Sequence, residues 1–301
     1  MTAVLSTQAA GEATKGHQRE RLRLLPSSQR LRQVLSGTLL VAFTIFMLLP
    51  VAMVVNISLR PATDVGTGAF DPPSSLAWGN YVDVFQRLNF LTSAGNTLLI
   101  TVASAGLVIL VGSSCAWAIA RHTRRWTVWA YRLFVSGLTI PVFVLLTPLF
   151  LLMRDLHLLD NYLSVILANA AINLPIAVFF YCSFLRSVPA ELEDAAAVDG
   201  CGLFGTYWRI VMPLVSPATA TVAIFISLAT WNDLILPLVF LSSPEKSTVV
   251  LSAYSLIGSR GRFQTAQLFP AVVLATLPLF ILFLVLQRRI VAGITAGMSK
   301  G

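Results

Sequence analysis

An all-helical membrane protein with six transmembrane spans is the fold class this sequence predicts, and three observations lead to it. The chain is 56% hydrophobic and only 11% charged, where a water-soluble domain carries roughly 25% charged residues. Its mean hydropathy is +0.79. Apolar runs close to the ~20 residues needed to cross ~30 Å of hydrocarbon recur over residues 34–59, 95–120, 130–153, 162–185, 214–241 and 268–290. A surface this poor in charge is solvated by a lipid bilayer rather than by water. The runs lack the alternating period of membrane barrel strands, so helices are the expected spanning element.

Taken in order, residues 1–33 are polar and basic and are expected to form a disordered tail with a short interfacial segment. The run that follows is too long for a signal-peptide core and has no evident small-residue cleavage site, so it reads as an uncleaved first span. The second run is free of proline. Pro141 and Pro148 interrupt the third, Pro175 the fourth, Pro237 the fifth and Pro278 the sixth. Most of these prolines are expected only to shape packing, since neighbouring helices satisfy the freed carbonyls; one or two are expected to mark bends. Between the fourth and fifth runs lies the polar stretch 189–213.

Orientation follows from the basic residues. With both termini in the cytoplasm, only Arg60, Arg87, Arg154, Lys246, Arg260 and Arg262 of the 21 Lys and Arg fall outside, as the positive-inside bias requires. The net charge of +8 is thereby topological, and no nucleic-acid partner is needed to explain it. Cys115 and Cys182 lie in spans and Cys201 in a loop, without disulfide or metal-ligand spacing. The chain has no glycine-rich loop ending in Gly-Lys-Ser/Thr, so it lacks an ATP site of that kind.

The segment Pro189–Pro213 carries the most information. Pro189 suits a helix start. Glu191, Glu193 and Asp194 then fall where the positive end of a helix dipole favours acids. Ala195, Ala196 and Ala197 are strong helix formers. Gly200 is placed to end the helix in a left-handed conformation. A second short helix, with Leu203, Phe204, Tyr207, Trp208 and Ile210, is expected to pack back on the bundle before Pro213.

Asp194-Ala195-Ala196, three residues, Gly200, nine residues, and Ile210-Val211-Met212-Pro213 together resemble the EAA motif of membrane subunits of bacterial ATP-binding-cassette importers. Asp194 stands where that motif has Glu, so its reach is one methylene shorter, and Glu193 beside it is a second candidate for the same role. Over about residues 34–301 the chain looks like the shorter permease of the maltose-type carbohydrate importers. Trp78-Gly79-Asn80-Tyr81, Asn96-Thr97, Trp231-Asn232-Asp233 and the ending Gly293-Ile294-Thr295-Ala296-Gly297-Met298-Ser299-Lys300-Gly301 extend the resemblance.

That resemblance implies a type I importer transmembrane domain in the bacterial plasma membrane. It implies a pore half that binds no cofactor itself. It implies two partner ATPases holding ATP and Mg, a second and different permease, and an extracytoplasmic sugar-binding protein. It assigns ATPase coupling to Glu193, Asp194, Ala195, Ala196, Asp199, Gly200, Ile210 and Pro213. The outer segments 60–94 and 242–267 would meet the binding protein or serve as solvated linkers.

Asp233 is the acidic residue deepest in a predicted span, and an ionisable group there is a functional candidate by default. Asn232, Asn173 and Asn96 offer hydrogen bonds suited to a sugar, and Trp231 and Tyr181 offer stacking faces. The alternative for Asp233 is a helix cap at a break before Pro237. Two other functions stay open at this point: an importer of the same architecture for another solute, such as a polyamine or an anion, and an ion-coupled carrier. The carrier would want several intramembrane carboxylates. A membrane enzyme lacks a paired His/Asp/Glu set, because His17, His122 and His157 fall at the tail and at span ends.

Overall fold

The computed structural model describes residues 27–64, 68, 70–122, 124–258 and 265–298. Of the tail expected over 1–33, residues 1–26 lie outside the described residues, and 27–33 begin the first helix. Arg260, Arg262 and the last three residues of the chain also lie outside the described residues. Among the described residues every regular element is helical.

Two units partition the chain. The first comprises the stretch up to Ile57 together with 67–72, and its element is α1 (Ser27–Ser58). α1 is predominantly apolar from Val34 to Val55, as suits a helix that crosses a bilayer.

The second unit holds α2 (Gly79–Arg87), α3 (Phe90–Arg121), α4 (Arg125–Gly137), α5 (Val142–Asp155), α6 (Tyr162–Leu185) and α7 (Glu191–Val198). It continues with α8 (Leu203–Thr206), a π-helical turn (Tyr207–Val211), α9 (Met212–Leu214) and α10 (Ser216–Trp231). It closes with α11 (Ile235–Phe240), α12 (Val249–Gly258) and α13 (Thr265–Met298). Its core is the packing of α3 on α6. Ala105, Val108 and Ala116 of α3 meet Ala170, Ala177 and Val178 of α6, and Val211, Val215, Val222 and Ile226 close the cluster from the π turn and α10. With lipid as apolar as leucine, association in a bilayer rests on close van der Waals approach, which small residues permit. Gly112 marks the tightest point: a Cβ there would lie 3.1 Å from that of Ala177.

Arg32–Ser58, Phe90–Arg121 and Tyr162–Leu185 are single helices long and apolar enough to cross a membrane. The predicted third span, 130–153, is not one rod. α4 and α5 meet at 104° around Pro141, which caps α5 with extended backbone (ψ 134°) and so cannot continue α4. Pro148 and Pro175 sit inside α5 and α6 without breaking them. The fifth predicted span is divided as well. The helical stretch Leu203–Leu214 turns by 75° into α10, and residues 232–234 separate α10 from α11. The predicted sixth span falls within α13.

Candidate functional site

The 189–213 segment folds as a short helix, a glycine turn and a second helical arm. Ala190 is the N-cap residue of α7, so Pro189 lies just before the helix rather than in its first turn. The first turn holds Glu191, Glu193 and Asp194, where the exposed N–H groups of the helix favour negative charge. The C-terminus closes with a Schellman pair: Gly200 N–H donates to Ala197 O (3.1 Å) and Cys201 N–H to Ala196 O (2.9 Å). This pair requires the left-handed φ of +82° found at Gly200, a conformation that costs a residue with a Cβ atom about 1–2 kcal/mol.

The predicted site residues part company in this frame. Asp194, Ala195, Asp199 and Gly200 face outward, Ala196 is buried, and Pro213 is exposed at the start of α9 with half-buried Ile210 just before it. Glu193 points the other way. Its carboxylate accepts from Trp117 Nε1 (2.8 Å) and from Arg121 Nε (2.8 Å), both on the last turns of α3. The pair is largely shielded, with 15% and 13% of the two side chains exposed. Arg121 Nη1 also donates to Leu185 O and Val188 O (both 3.1 Å), just past the end of α6.

The second arm packs through one aromatic residue. Tyr207 is buried, with its hydroxyl 2.7 Å from Ser113 Oγ and its ring 5.6 Å from that of Trp117. Contrary to the expectation that the arm's apolar residues return to the bundle, Leu203, Phe204 and Trp208 stay exposed, Phe204 at 81%. Leu203, Phe204 and Trp208 thus form an exposed apolar group on the same segment as the exposed acids Asp194 and Asp199.

A second polar constellation lies where α10 gives way to α11. Asp233 Oδ1 accepts the N–H groups of Ile235 (2.9 Å) and Leu236 (3.2 Å), and Oδ2 accepts from Asn169 Nδ2 of α6 (3.2 Å). Asp233 therefore caps α11, the alternative raised from the sequence. Asn169 escaped sequence reasoning; Thr230 donates to its side-chain oxygen and Asn173 to its backbone oxygen. Trp231 is buried and donates to Ala275 O of α13 (3.1 Å), tying α10 to α13. Asn232 is exposed and donates to Leu228 O. Tyr181 is fully buried, with its hydroxyl donating to Thr219. Asp233→Ala is expected to lower stability by about 1–2 kcal/mol, the usual worth of an N-cap, whereas Asp233→Asn keeps an acceptor for the same N–H groups. Thermal unfolding of the detergent-extracted protein reads the difference.

Asn96 bonds to neither constellation. Its amide donates to Glu245 O (2.7 Å) and Ser247 O (3.0 Å) and accepts from Tyr162 (2.9 Å), which pins the 242–248 loop to α3 and α6. Asp160 fastens the same loop, accepting from the Ser242 and Ser243 N–H groups, the Ser243 hydroxyl and Lys246 Nζ. The Ser243 hydroxyl first, then the Lys246 ammonium and the two N–H groups, hold the Asp160 carboxyl well below its ordinary value. Among the described residues no cluster of His, Cys, Asp and Glu could hold a metal ion.

Comparison with known proteins places this arrangement. Residues 108–296 match the model of the family described as binding-protein-dependent transport system inner membrane component. The chain is 29% identical to the diacetylchitobiose uptake system permease protein NgcG of Streptomyces coelicolor, over 92% of each chain. It is 33% identical to the arabinooligosaccharides transport system permease protein AraQ of Halalkalibacterium halodurans, over 89% of this chain and 98% of that one. A chain of a bacterial ABC transporter that imports the acidic polysaccharide alginate has the same fold, with a TM-score of 0.73 at 23% identity over 88% of this chain and 98% of that one. With a family match that takes in α4 to α12 whole, the C-terminal part of α3 and most of α13, this chain belongs to the family of inner membrane components of binding-protein-dependent transport systems.

Proposed function

We propose that this chain is a permease subunit of an ATP-driven, binding-protein-dependent carbohydrate importer and forms half of its pore. The observation that carries the substrate class is similarity along nearly the whole chain to permeases named for diacetylchitobiose and arabinooligosaccharide uptake. A trehalose transport system permease of Mycobacterium tuberculosis, 30% identical over 85% of this chain, points the same way. These relatives favour a sugar or oligosaccharide over a polyamine or anion.

The partners in this reading are a second, different permease, two ATPases that hold ATP and Mg, and an extracytoplasmic sugar-binding protein. Both termini and the 189–213 segment lie in the cytoplasm of a bacterial cell. The exposed apolar side chains of Leu203, Phe204 and Trp208 and the exposed acids Asp194 and Asp199 of the same segment suit contact with an ATPase surface that offers apolar and basic residues. ATP does work on the transporter only by favouring one of its two conformations over the other, so closure of the ATPases must be felt at this segment and carried into the spans. The chain itself makes and breaks no bonds.

Within the spans, Asn232 is an exposed polar side chain whose amide oxygen is available to a sugar hydroxyl, and Asp233, Asn169 and Asn173 hold the broken helix beside it in shape. Trp231 and Asn96 are already engaged within the chain and serve the pore indirectly. The reading is tested by deleting the gene and measuring uptake of a panel of labelled mono- and oligosaccharides, with polyamines and inorganic anions alongside. Loss of one sugar class alone, restored by the intact gene, supports it. Loss of a non-sugar solute with every sugar retained refutes the substrate class.

A further inference from the structure

Both arms of the 189–213 segment are gripped by one face of one helix. Ser113, Trp117 and Arg121 stand four residues apart on α3, so they fall along a single stripe. Ser113 meets the Tyr207 hydroxyl of the second arm at 2.7 Å. Trp117 reaches both arms, with its ring against Tyr207 and its N–H on Glu193. Arg121 pairs with Glu193 of the first arm and reaches the carbonyls that close α6. The remaining guanidinium nitrogen, Arg121 Nη2, is buried and has no hydrogen-bond partner. The guanidinium is thus held with Nε on Glu193 and Nη1 on the two carbonyls, at the expense of one donor.

We infer that the Arg121–Glu193 pair, seated by Trp117, is the positioning device that fixes the segment to the second span, so that a push on the segment moves α3. The inference rests on the coupling role proposed above. It assigns Glu193 and Asp194 opposite duties: Asp194 is free to face a partner, while Glu193 is turned inward to transmit. A charged, two-pronged link suits that duty because it holds direction as well as distance, which an apolar contact would not. The α3–α6 packing then carries the displacement into the core of the bundle.

The test uses the full complex, reconstituted with its ATPase and binding protein, and reads substrate carried per ATP hydrolysed. Arg121→Gln and Glu193→Gln are each expected to lower that ratio about tenfold or more, and the double variant to lower it no further, the signature of two groups acting as one unit. Arg121→Lys keeps the charge but loses the fork, and is expected to fall between. If an Arg121 variant does not assemble, Trp117→Phe decides: it removes the N–H on Glu193, keeps the ring on Tyr207, and is expected to lower the ratio about threefold. Wild-type ratios in Glu193→Gln and Trp117→Phe, or losses that multiply in the double variant, overturn the inference. Gly200→Val is measured in parallel: if it uncouples while the clamp variants do not, the clamp alone is wrong, and if none uncouples, the coupling role itself is wrong.

Discussion

Replacing Gly200 with valine should stop transport while leaving the protein in the membrane. The φ of +82° at this position is one a β-branched residue adopts only as an outlier. No atom lies within 4 Å of where a Cβ would stand, so the whole penalty comes from the backbone and none from crowding. The least costly relief is to unwind the Schellman pair, which swings α7 relative to the second arm. The Glu193 and Tyr207 attachments to α3 then cannot both be kept. Uptake is expected to fall about tenfold or more, the equivalent of about 1.4 kcal/mol lost from the working conformation. Gly200→Asn provides the control, because asparagine tolerates the left-handed region at helix ends and should keep uptake within about threefold. Membrane fractionation separates this outcome from simple loss of the protein.

The second large effect is expected at Gly112, and it bears on folding rather than coupling. A Cβ there would meet the Ala177 Cβ at 3.1 Å and Leu174 Cδ1 at 3.6 Å. Alanine needs a shift of a few tenths of an ångström and should cost about 1 kcal/mol; leucine must drive α3 and α6 apart, where overpacking costs about 1–3 kcal/mol or more. Because that helix pair organises the unit, Gly112→Leu should give a transporter that extracts poorly and melts well below wild type. Gly112→Ala should lie close to wild type. Size-exclusion profiles of heated, detergent-extracted samples read both. A Gly112→Leu protein with an unchanged melting temperature would show that the α3–α6 contact is not what holds the unit together.

Composition and run length disclosed the helical class because a bilayer permits few alternatives to a helix. The same signal was blind to bends. An apolar stretch has the same hydropathy on either side of a right angle, so the third run, 130–153, read as one span although it breaks at Pro141. Pro141 and Pro148 are the same residue seven positions apart. One ends up as an N-cap and the other inside a helix, and only the packing around them decides which.

The 189–213 segment was legible because its signals are local: acids at a helix start, a glycine at its end, and a fixed spacing between them. Its attachment was not. Arg121 and Trp117 find Glu193 across 72 and 76 residues of sequence, and no local pattern joins residues so far apart. The four-residue spacing of Ser113, Trp117 and Arg121 was visible, and it gains meaning only once a partner is seen against it. Asn169 was hidden for the same reason: an asparagine in an apolar helix is unremarkable until Asp233 is found at its side chain.

The most direct test of the central claim is to tag this chain in its own organism, extract it in mild detergent, and determine what co-purifies by quantitative mass spectrometry with ATPase activity measured on the same sample. The expected result is one second permease and two ATPase subunits per tagged chain, with hydrolysis that rises when the cognate binding protein and sugar are added. A single, ATPase-free species that still carries solute when reconstituted would contradict the account and point instead to an autonomous carrier.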